Sequence, residues 1–455
     1  MFLYNEQLKN EVSYVLDRSE PSLFRIDAYL TTTGSSTPLD IDINPIDAIT
    51  IVQNFDDNYA DIVMLQTRLM LKDVLYLLDH YKDLHCTINF KPDTGNYNVL
   101  EDSLKEVNIE EYKVIISNAD DIRKNINMNK FMNTKEDDNG YTNKEQYYGA
   151  RIPITLELFS ETLYNLRHIT VATKLSNCTM EQAVLYLANA YGIKNTVMTP
   201  SENTKVYKDI PIPPKVGGID KSLSYLQKKF GIYSMGLEYY FYNDTLYVYP
   251  KYDYDKKPIE SDSTVQFFVV PEGMYTGVES YHCYDDNGNL RVVLDGKTVS
   301  ENPTEINAEN SGNHLVAHRT STVLDQSRSI NKDGSSTLSD ISLISLGMNM
   351  NTAHESATNT KFITTTNNAY ELASMMAASS NTIVSSTWQK SFPYLIKPGT
   401  RCIYQYEDEA GLKGLKGMIA LVATEIIVEG RARGKVIYSA KSIVTMRLDP
   451  NEIEI

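Results

Sequence analysis

The sequence predicts an α+β fold that is rich in β-strands. Three features predict this class: two similar segments that each combine a helix with a glycine, a tyrosine-rich hairpin directly after them, and a long alternating run near the C-terminus. The chain has 455 residues, enough for about three domains at roughly 150 residues each. Apolar residues make up 42% and charged residues 22% of it, so we expect sizeable hydrophobic cores.

Two segments near the middle of the chain repeat one pattern, and they are 183–193 and 222–232. Each is predicted to be an amphipathic helix. The helices end at Gly192 and Gly231, where a glycine adopts positive φ at little cost. Thr179 and Gln182 predict a capping box at the start of the first helix. Asp220 is the predicted N-cap of the second helix.

A β-hairpin is predicted after the second helix, with strands at 238–242 and 245–249 around a tight turn. The proline-rich stretch 209–214 before that helix predicts an extended strap. Six tyrosines form a ladder along the hairpin: Tyr233, Tyr239, Tyr240, Tyr242, Tyr247 and Tyr249. Such a ladder can stack on bases or sugars, but no basic residues interleave with it. We therefore favour a sheet with one packed face and one face toward another subunit.

The N-terminal third is predicted to be a β-rich domain over 23–165 that follows an arm over 1–22. The arm contains one helix, at 6–16. Alternating residues indicate strands, at 23–30, 46–55, 60–70, 83–90 and 151–164. A short helix is predicted at 74–81, and the polar run 118–148 is predicted to be an exposed excursion.

The C-terminal part predicts a second β domain with a long interruption. A strand at 261–271 and a hairpin over 281–294 precede residues 297–387. That Ser/Thr/Asn-rich stretch is predicted to be an excursion, or a segment ordered only by a partner, with one helix over 367–380. The last elements predicted are strands at 401–407, 418–428 and 435–448, a loop over 408–417 and a turn over 431–434. Together they indicate a barrel or half-barrel.

Charge and cysteine content narrow the function classes. The formal net charge is −16, which disfavours a nucleic-acid grip, since affinity for phosphates comes mainly from Lys and Arg. It suits a surface that DNA passes without sticking. The four cysteines form no CxxC pair, and free thiols fit assembly in a reducing cytosol. We expect no signal peptide, because the N-terminus has an early acidic residue and no basic region. We also expect no membrane insertion, because the apolar run 418–428 is short and contains Glu425.

Metal and catalytic motifs are weak throughout the sequence. His314 and His318 have the spacing of a zinc helix but lack the glutamate that would act as base, and surface histidines are the favoured interpretation. Other groups considered as ligands are His282-Cys283, His85-Cys86, Asp56-Asp57 with Asp61, and Asp285-Asp286 with Asn287 and Asn289. Side-by-side residues of a strand point to opposite faces, and neither acidic group completes a calcium loop. Gly217-Gly218 is interpreted as a helix entry rather than an anion site. We predict no catalytic residue, cofactor or metal site.

Two stretches resemble the baseplate hub proteins of tailed bacteriophages. They are 170–250, with the helix, glycine and tyrosine hairpin, and 388–448, with the Pro-Tyr-Leu-Ile-Lys-Pro-Gly turn at 393–399 and the strands after it. The resemblance implies a homotrimer in which each chain supplies two tail-tube-like antiparallel β-barrel domains. A ring of three chains would then have six similar domains to match the sixfold tail tube above and threefold symmetry to match the central spike below. It would also contact other baseplate proteins and let DNA pass through.

In that arrangement the tube-like domains are 23–165 and 261–296 with 388–455. Residues 166–260 form a small α/β module between them, and 297–387 is the excursion. The resemblance further implies a non-enzymatic virion protein of the tail baseplate that is assembled in the host cytoplasm.

Two alternatives remain open. One is a tail-associated cell-wall hydrolase that uses carboxylates such as Glu407 or Asp286, although Glu407 and Glu409 are more simply parts of a solvated loop. The other is a tail protein that binds host carbohydrate through the tyrosine ladder.

Overall fold

The computed structural model describes 5–19, 22–32, 41–55, 61–80, 84–93, 108–125, 151–166, 169–242, 244–254, 264–275, 278, 280–300, 313–320, 325–331, 336–338, 363–365, 368, 370–371, 373–374, 382–397, 399–408, 411–432 and 435–452. Strands predominate in this part of the chain, which confirms the predicted α+β, β-rich class. The helices are α1 (Glu6–Asp17), α2 (Leu71–Asp79), α3 (Ala119–Asn125), α4 (Glu161–Leu166), α5 (Met180–Ala190) and α6 (Ile219–Lys229).

The strands fall into three stretches of sequence. The first holds β1 (Phe24–Thr32), β2 (Ile41–Asp42), β3 (Ile46–Asn54), β4 (Ile62–Met70), β5 (Leu84–Pro92), β6 (Asn108–Ile116) and β7 (Arg151–Phe159). The second holds β8 (Thr173–Cys178), β9 (Asn195–Met198), β10 (Tyr207–Ile212), β11 (Leu237–Tyr242) and β12 (Thr245–Pro250). The third holds β13 (Val265–Val270), β14 (His282–Tyr284), β15 (Leu290–Ser300), β16 (Asn313–Thr320), β17 (Asp325–Asn331), β18 (Ser336–Leu338), β19 (Ile363–Thr365), β20 (Thr382–Ser391), β21 (Arg401–Asp408), β22 (Gly411–Ala432) and β23 (Lys435–Glu452).

One 14-stranded sheet unites the first and third stretches. Its pairings close into two circuits that share the β22–β23 hairpin. The first circuit runs β22-β3-β4-β7-β6-β5-β1-β23 and is antiparallel throughout. The second runs β22-β21-β13-β15-β20-β23, and β13 is parallel to both of its neighbours. The prediction of purely antiparallel pairing is therefore wrong for the second circuit.

The shared hairpin is longer than the sequence predicts. The stretch 408–417, predicted to be a loop, mostly belongs to β22, which pairs with β21 from Gly411 onward. The glycines of this stretch suggested a turn, but Gly417 instead allows the backbones of β22 and β23 to lie close together. A Cβ at Gly417 would lie 2.3 Å from the backbone oxygen of Arg447. A register shift occurs beside this glycine, and beyond it the free edge of β22 changes partner from β21 to β3.

Two large hydrophobic clusters lie among the described residues, beside a small one of Tyr249, Tyr254 and Met418. One continuous cluster contains buried side chains of both circuits, including Phe24, Leu65, Phe267 and Val444. A separate cluster fills the α/β module between α5, α6 and the three-stranded sheet β11-β12-β9, with β8-β10 as a second small sheet. The predicted strap at 209–214 is part of strand β10 as far as Ile212.

The module forms largely as its sequence predicts. Thr179 and Gln182 make the capping box of α5, and Gly192 and Gly231 have φ of 88° and 79° after the two helices. The predicted cap of α6 is wrong, because Gly218 is the N-cap and Asp220 lies in the first turn. A carboxylate there still favours the helix through its dipole.

Most other predicted elements are present with shifted ends. The strand predicted over 151–164 stops at Phe159, where Ser160 accepts a bond from the Leu163 N–H and α4 begins. Within 118–148 the structure describes α3, and 126–148 lies outside the described residues. The stretch 297–387 contains the sheet β18-β17-β16-β19. Of its predicted helix, Tyr370, Glu371, Ala373 and Ser374 are helical, whereas Leu372, Met375 and Met376 lie outside the described residues.

Gly417→Ala is expected to destabilise the protein strongly, because the added methyl group meets backbone that belongs to the partner strand. Gly430→Ala is the matched control: Gly430 adjoins another register shift of β22, and nothing lies within 4 Å of its Cβ position. Urea unfolding should show a loss of about 1–3 kcal/mol for the first variant and less than about 0.5 kcal/mol for the second. Equal losses would contradict the close approach at Gly417.

His282 is expected to make the protein sensitive to acid. Its ring is 2% exposed and lies edge-on to Trp388, with Nδ1 3.2 Å from Ser280 Oγ. Burial lowers the pKa of His282 from 6.5 to about 4. Between these values the unfolded chain binds more protons, so the free energy of unfolding falls as pH decreases from 6.5 and is unaffected above it.

His282→Gln removes this titration. Urea unfolding at pH 7 and pH 5 should show that the wild type loses up to about 2 kcal/mol more than the variant. Equal losses in the two proteins would show that His282 does not titrate in this range.

Candidate assembly surface

The tyrosine ladder is buried inside the chain. Strands β11 and β12 are covered on both faces, and Tyr240 and Tyr249 are fully buried. Tyr240 packs edge-on against Phe55 at 4.8 Å between ring centroids, and its hydroxyl donates to the Asp61 carboxylate. Burial, followed by the charge of Asp61, raises the pKa of Tyr240 well above its usual value, so it remains a donor. The expected face toward another subunit is therefore wrong for this hairpin, which instead joins the module to the first circuit.

A buried charge cluster joins the same hairpin to β23. Glu238 is 1% exposed and Arg447 is 2% exposed, with 3.2 Å between Glu238 Oε2 and Arg447 Nη1. Lys251 Nζ lies 3.7 Å from the same carboxylate oxygen, and the Arg447 guanidinium lies over the Tyr252 ring at 5.7 Å. Burying such charges is favourable only when they face opposite charges, so this contact fixes how the module sits on the shared hairpin.

Two segments cross between the circuits in opposite directions. Helix α1 precedes β1 of the first circuit, but it packs on the second, where Arg291 contacts Glu11 and lies 4.7 Å from the Tyr14 ring centroid. The turn after β20 reaches back: the Phe392 and Phe24 rings are 5.2 Å apart. In the same turn the Tyr394 and Tyr112 hydroxyls are 2.6 Å apart. These crossings hold the circuits in a fixed arrangement.

The acidic groups considered as calcium ligands are used for other contacts. Burial raises the pKa of the Asp285 carboxyl, but bonds from the Asn289 side chain and from the backbone N–H groups of Asn289 and Asn287 outweigh it and hold that pKa below the usual value, as expected of a turn. Asp286 pairs with Arg18 at 3.3 Å. Asp56 and Asp57 lie outside the described residues. Among the described residues, no group of three His, Cys, Asp or Glu side chains is placed to hold a metal ion.

The histidine motifs are also dispersed. His314 and His318 lie on strand β16 rather than on a helix. His85 Nε2 is 3.3 Å from Lys113 Nζ, and burial raises the pKa of the neighbouring Cys86 thiol to about 12. Gly217 has φ of 106° and lies in the turn that leads into α6.

The two carboxylates named for the hydrolase alternative lie in different elements of the described structure. Glu407 lies in β21 opposite Leu412, while Asp286 is in the hairpin turn that faces α1, and Glu409 lies outside the described residues. In the part of the chain that is described, no helix has both the length and the apolar character needed to cross a membrane.

A largely apolar row crosses five neighbouring strands of the large sheet, and its isoleucines are exposed whereas its other members are half-buried. The register places side by side, from β20 to β4, Thr387, Ile443, Ala423, Val52 and Ile62. We call these five residues, together with Ile427 farther along β22, the outer row. Ile443 is 49%, Ile427 47% and Ile62 46% exposed. Because β20 belongs to the second circuit and β4 to the first, the outer row spans both.

Charges of both signs lie beside the outer row. Glu425 is registered opposite Lys441, and on the edge toward β4 Asp47 pairs with Arg68 at 3.0 Å. The outer row cannot be recognised in the sequence, because its residues come from five strands far apart in the chain. Alternation along β22 and β23 would have put Ile427 and Ile443 on outward positions, but only the register brings the strands together.

Glu238→Gln is expected to lower the free energy of unfolding by about 3–5 kcal/mol, because it removes the carboxylate that faces the buried Arg447. Asp47→Asn is the matched control, since it breaks the exposed pair with Arg68 and should cost less than about 1 kcal/mol. Urea unfolding measures both, and a small loss for Glu238→Gln would mean that the cluster does not hold the module.

Comparison with known proteins gives one family match and several structural likenesses. The structure of this chain is similar to that of the tail protein from Neisseria meningitidis MC58. The identity is 12% and the TM-score 0.47, and the match covers 93% of this chain and 96% of that one. It is similar to the 43 kDa tail protein of prophage MuSo2 from Shewanella oneidensis, with 10% identity, a TM-score of 0.43 and coverage of 91% and 96%.

A further likeness is to the E. coli c3393 protein, which is described as a type VI secretion component structurally similar to the T4 bacteriophage tail proteins gp27 and gp5. Here the identity is 10%, the TM-score 0.39 and the coverage 93% of this chain and 76% of that one. No curated protein matches the sequence. The family match spans residues 24–271, more than half of the chain, and takes in most of the first circuit and the module. The resemblance to a phage protein family is thereby confirmed, and the chain belongs to the family of the bacteriophage PBS1 gene 109 protein.

Proposed function

We propose that this protein is a structural hub of a phage tail baseplate. The observation that carries the proposal is the pair of strand circuits on one shared hairpin, since two sheet-based units in each chain let three chains present six similar positions. Family membership supports a phage origin. In this proposal the hub is a homotrimer that adapts a sixfold tail tube to a threefold central spike and contacts other baseplate proteins.

The two circuits are the proposed tube-like barrel domains. The first uses residues 23–165, and the second uses 261–296 with 388–455, while 166–260 is the intervening module. The shared hairpin refines this division, because β22 and β23 pair with strands of both domains. The stretch 297–387 is an insertion in the second domain.

The outer row is the proposed contact with a neighbouring copy of the chain. Exposed apolar side chains that adjoin across several strands mark protein contacts more often than isolated ones do. Charges of both signs beside the row limit the like-charge penalty when a second copy approaches. The net charge of −16 supports passage of DNA through the ring without electrostatic trapping.

The proposed role is non-enzymatic and places the protein in the tail of the virion after assembly in the host cytoplasm.

Mass measurement in solution combined with electron microscopy tests the hub. A trimer that forms rings, and that co-purifies with a tube protein and a spike from particles, is the expected result. A strict monomer that forms no ring would overturn the proposal.

Ile443→Asp is expected to prevent association, because it puts a charge into the centre of the outer row, while its 49% exposure lets the monomer fold. Val206→Asp is the matched control, since Val206 is 61% exposed on the module and is not part of the row. Light scattering should show a smaller mass for the first variant alone. Unchanged association of Ile443→Asp would exclude the outer row as the contact.

A further inference from the structure

The C-terminal end of α6 contacts a segment that comes from far along the chain. The last four carbonyls of a helix have no partner within it. The Gly231 N–H returns to Leu226 O and Gln227 O, and the Asn203 side chain donates to Phe230 O and Gly231 O at 2.9 and 2.7 Å. These partners belong to the module itself.

Asn368 supplies a further set of bonds from the 297–387 stretch. Its Nδ2 donates to Gln227 O at 2.7 Å and to Lys228 O at 3.2 Å, and the residue is 8% exposed. Its Oδ1 accepts a hydrogen bond from the Tyr370 N–H at 3.1 Å, and this bond orients the backbone at Tyr370. An amide is suited to this place because it donates to helix carbonyls and accepts from a backbone N–H at the same time.

Tyr370 lies directly over Gly231. A Cβ at Gly231 would lie 2.4–2.5 Å from three atoms of the Tyr370 side chain. The glycine therefore has two functions here: it allows φ of 79°, and it leaves room for the ring. Ala373 follows and is fully buried. The contact thus has the shape of a fitted site rather than of a chance approach.

We propose that Asn368, Tyr370 and Ala373 form an intramolecular latch, for which the end of α6 is a recognition site that reads an Asn-X-Tyr segment. The latch ties the end of the 297–387 insertion to the module shortly before the chain enters β20 of the second circuit. The described contacts of the latch are hydrogen bonds, one ring and one buried alanine, whereas the strands are held by long ladders, so we expect the latch to open locally without unfolding of the sheet.

The full-length protein tests the latch through hydrogen exchange and trypsin cleavage. Asn368→Asp removes both amide donors and places a negative charge at the negative end of the helix. Exchange over 226–232, and cleavage after the exposed Lys228 and Lys229, should each become about tenfold faster. Ser374→Ala is the matched control, because the bond that its hydroxyl makes among the described residues is to Glu371 O in the same segment, and it should leave both rates unchanged. Unchanged rates in Asn368→Asp would overturn the latch.

A double-mutant cycle gives an independent check. Gly231→Ala has the same backbone penalty whether or not Tyr370 is present, so any non-additivity reports the ring contact. Combining it with Tyr370→Ala should reduce the effect of Gly231→Ala on the exchange rate of this segment by about tenfold or more. Additive effects would show that Tyr370 does not occupy the Gly231 site.

Discussion

The fold depends on the antiparallel pairing of β22 with β23. This hairpin supplies two strands to each circuit, and both strands change their outer partners along their length, β22 from β21 to β3 and β23 from β20 to β1. The change on β22 occurs beside the register shifts around Gly417, where the backbones are closest. Since bulges bend a strand and increase its twist, one hairpin is able to follow two surfaces of different direction.

The remaining contacts fix what the hairpin joins. Helix α1 and the turn at Phe392 each cross from one circuit to the other, and they do so in opposite directions. The module is held on a third side by Glu238 with Arg447 and by Tyr240 with Asp61. Each of these joints combines aromatic packing with a charged or hydroxyl partner, so it gives a defined orientation as well as buried apolar area.

Local sequence patterns predicted the elements well and their partners poorly. Alternation, capping and glycine positions predicted α1, α5, α6 and the β11–β12 hairpin, because these depend on neighbours within a few residues. The β22 start was missed because glycine at a close approach and glycine at a turn look alike in sequence. The buried tyrosines and the outer row were missed for one reason: which face is covered depends on register and on strands hundreds of residues away. Asn368 could not be recognised as a helix cap, since capping patterns are local and this one is not.

The shared hairpin also has a consequence for how the chain is made. Phe24 of β1 is registered with Tyr438 of β23, so the first strand of the first circuit cannot pair with this partner until one of the last strands has been synthesised. Neither circuit can close until the ribosome has synthesised residues 411–452, and loop closure over such separations is slow. During translation the apolar strands of the N-terminal half are therefore exposed with an open edge, and chaperone binding to nascent chains would protect them until the hairpin arrives.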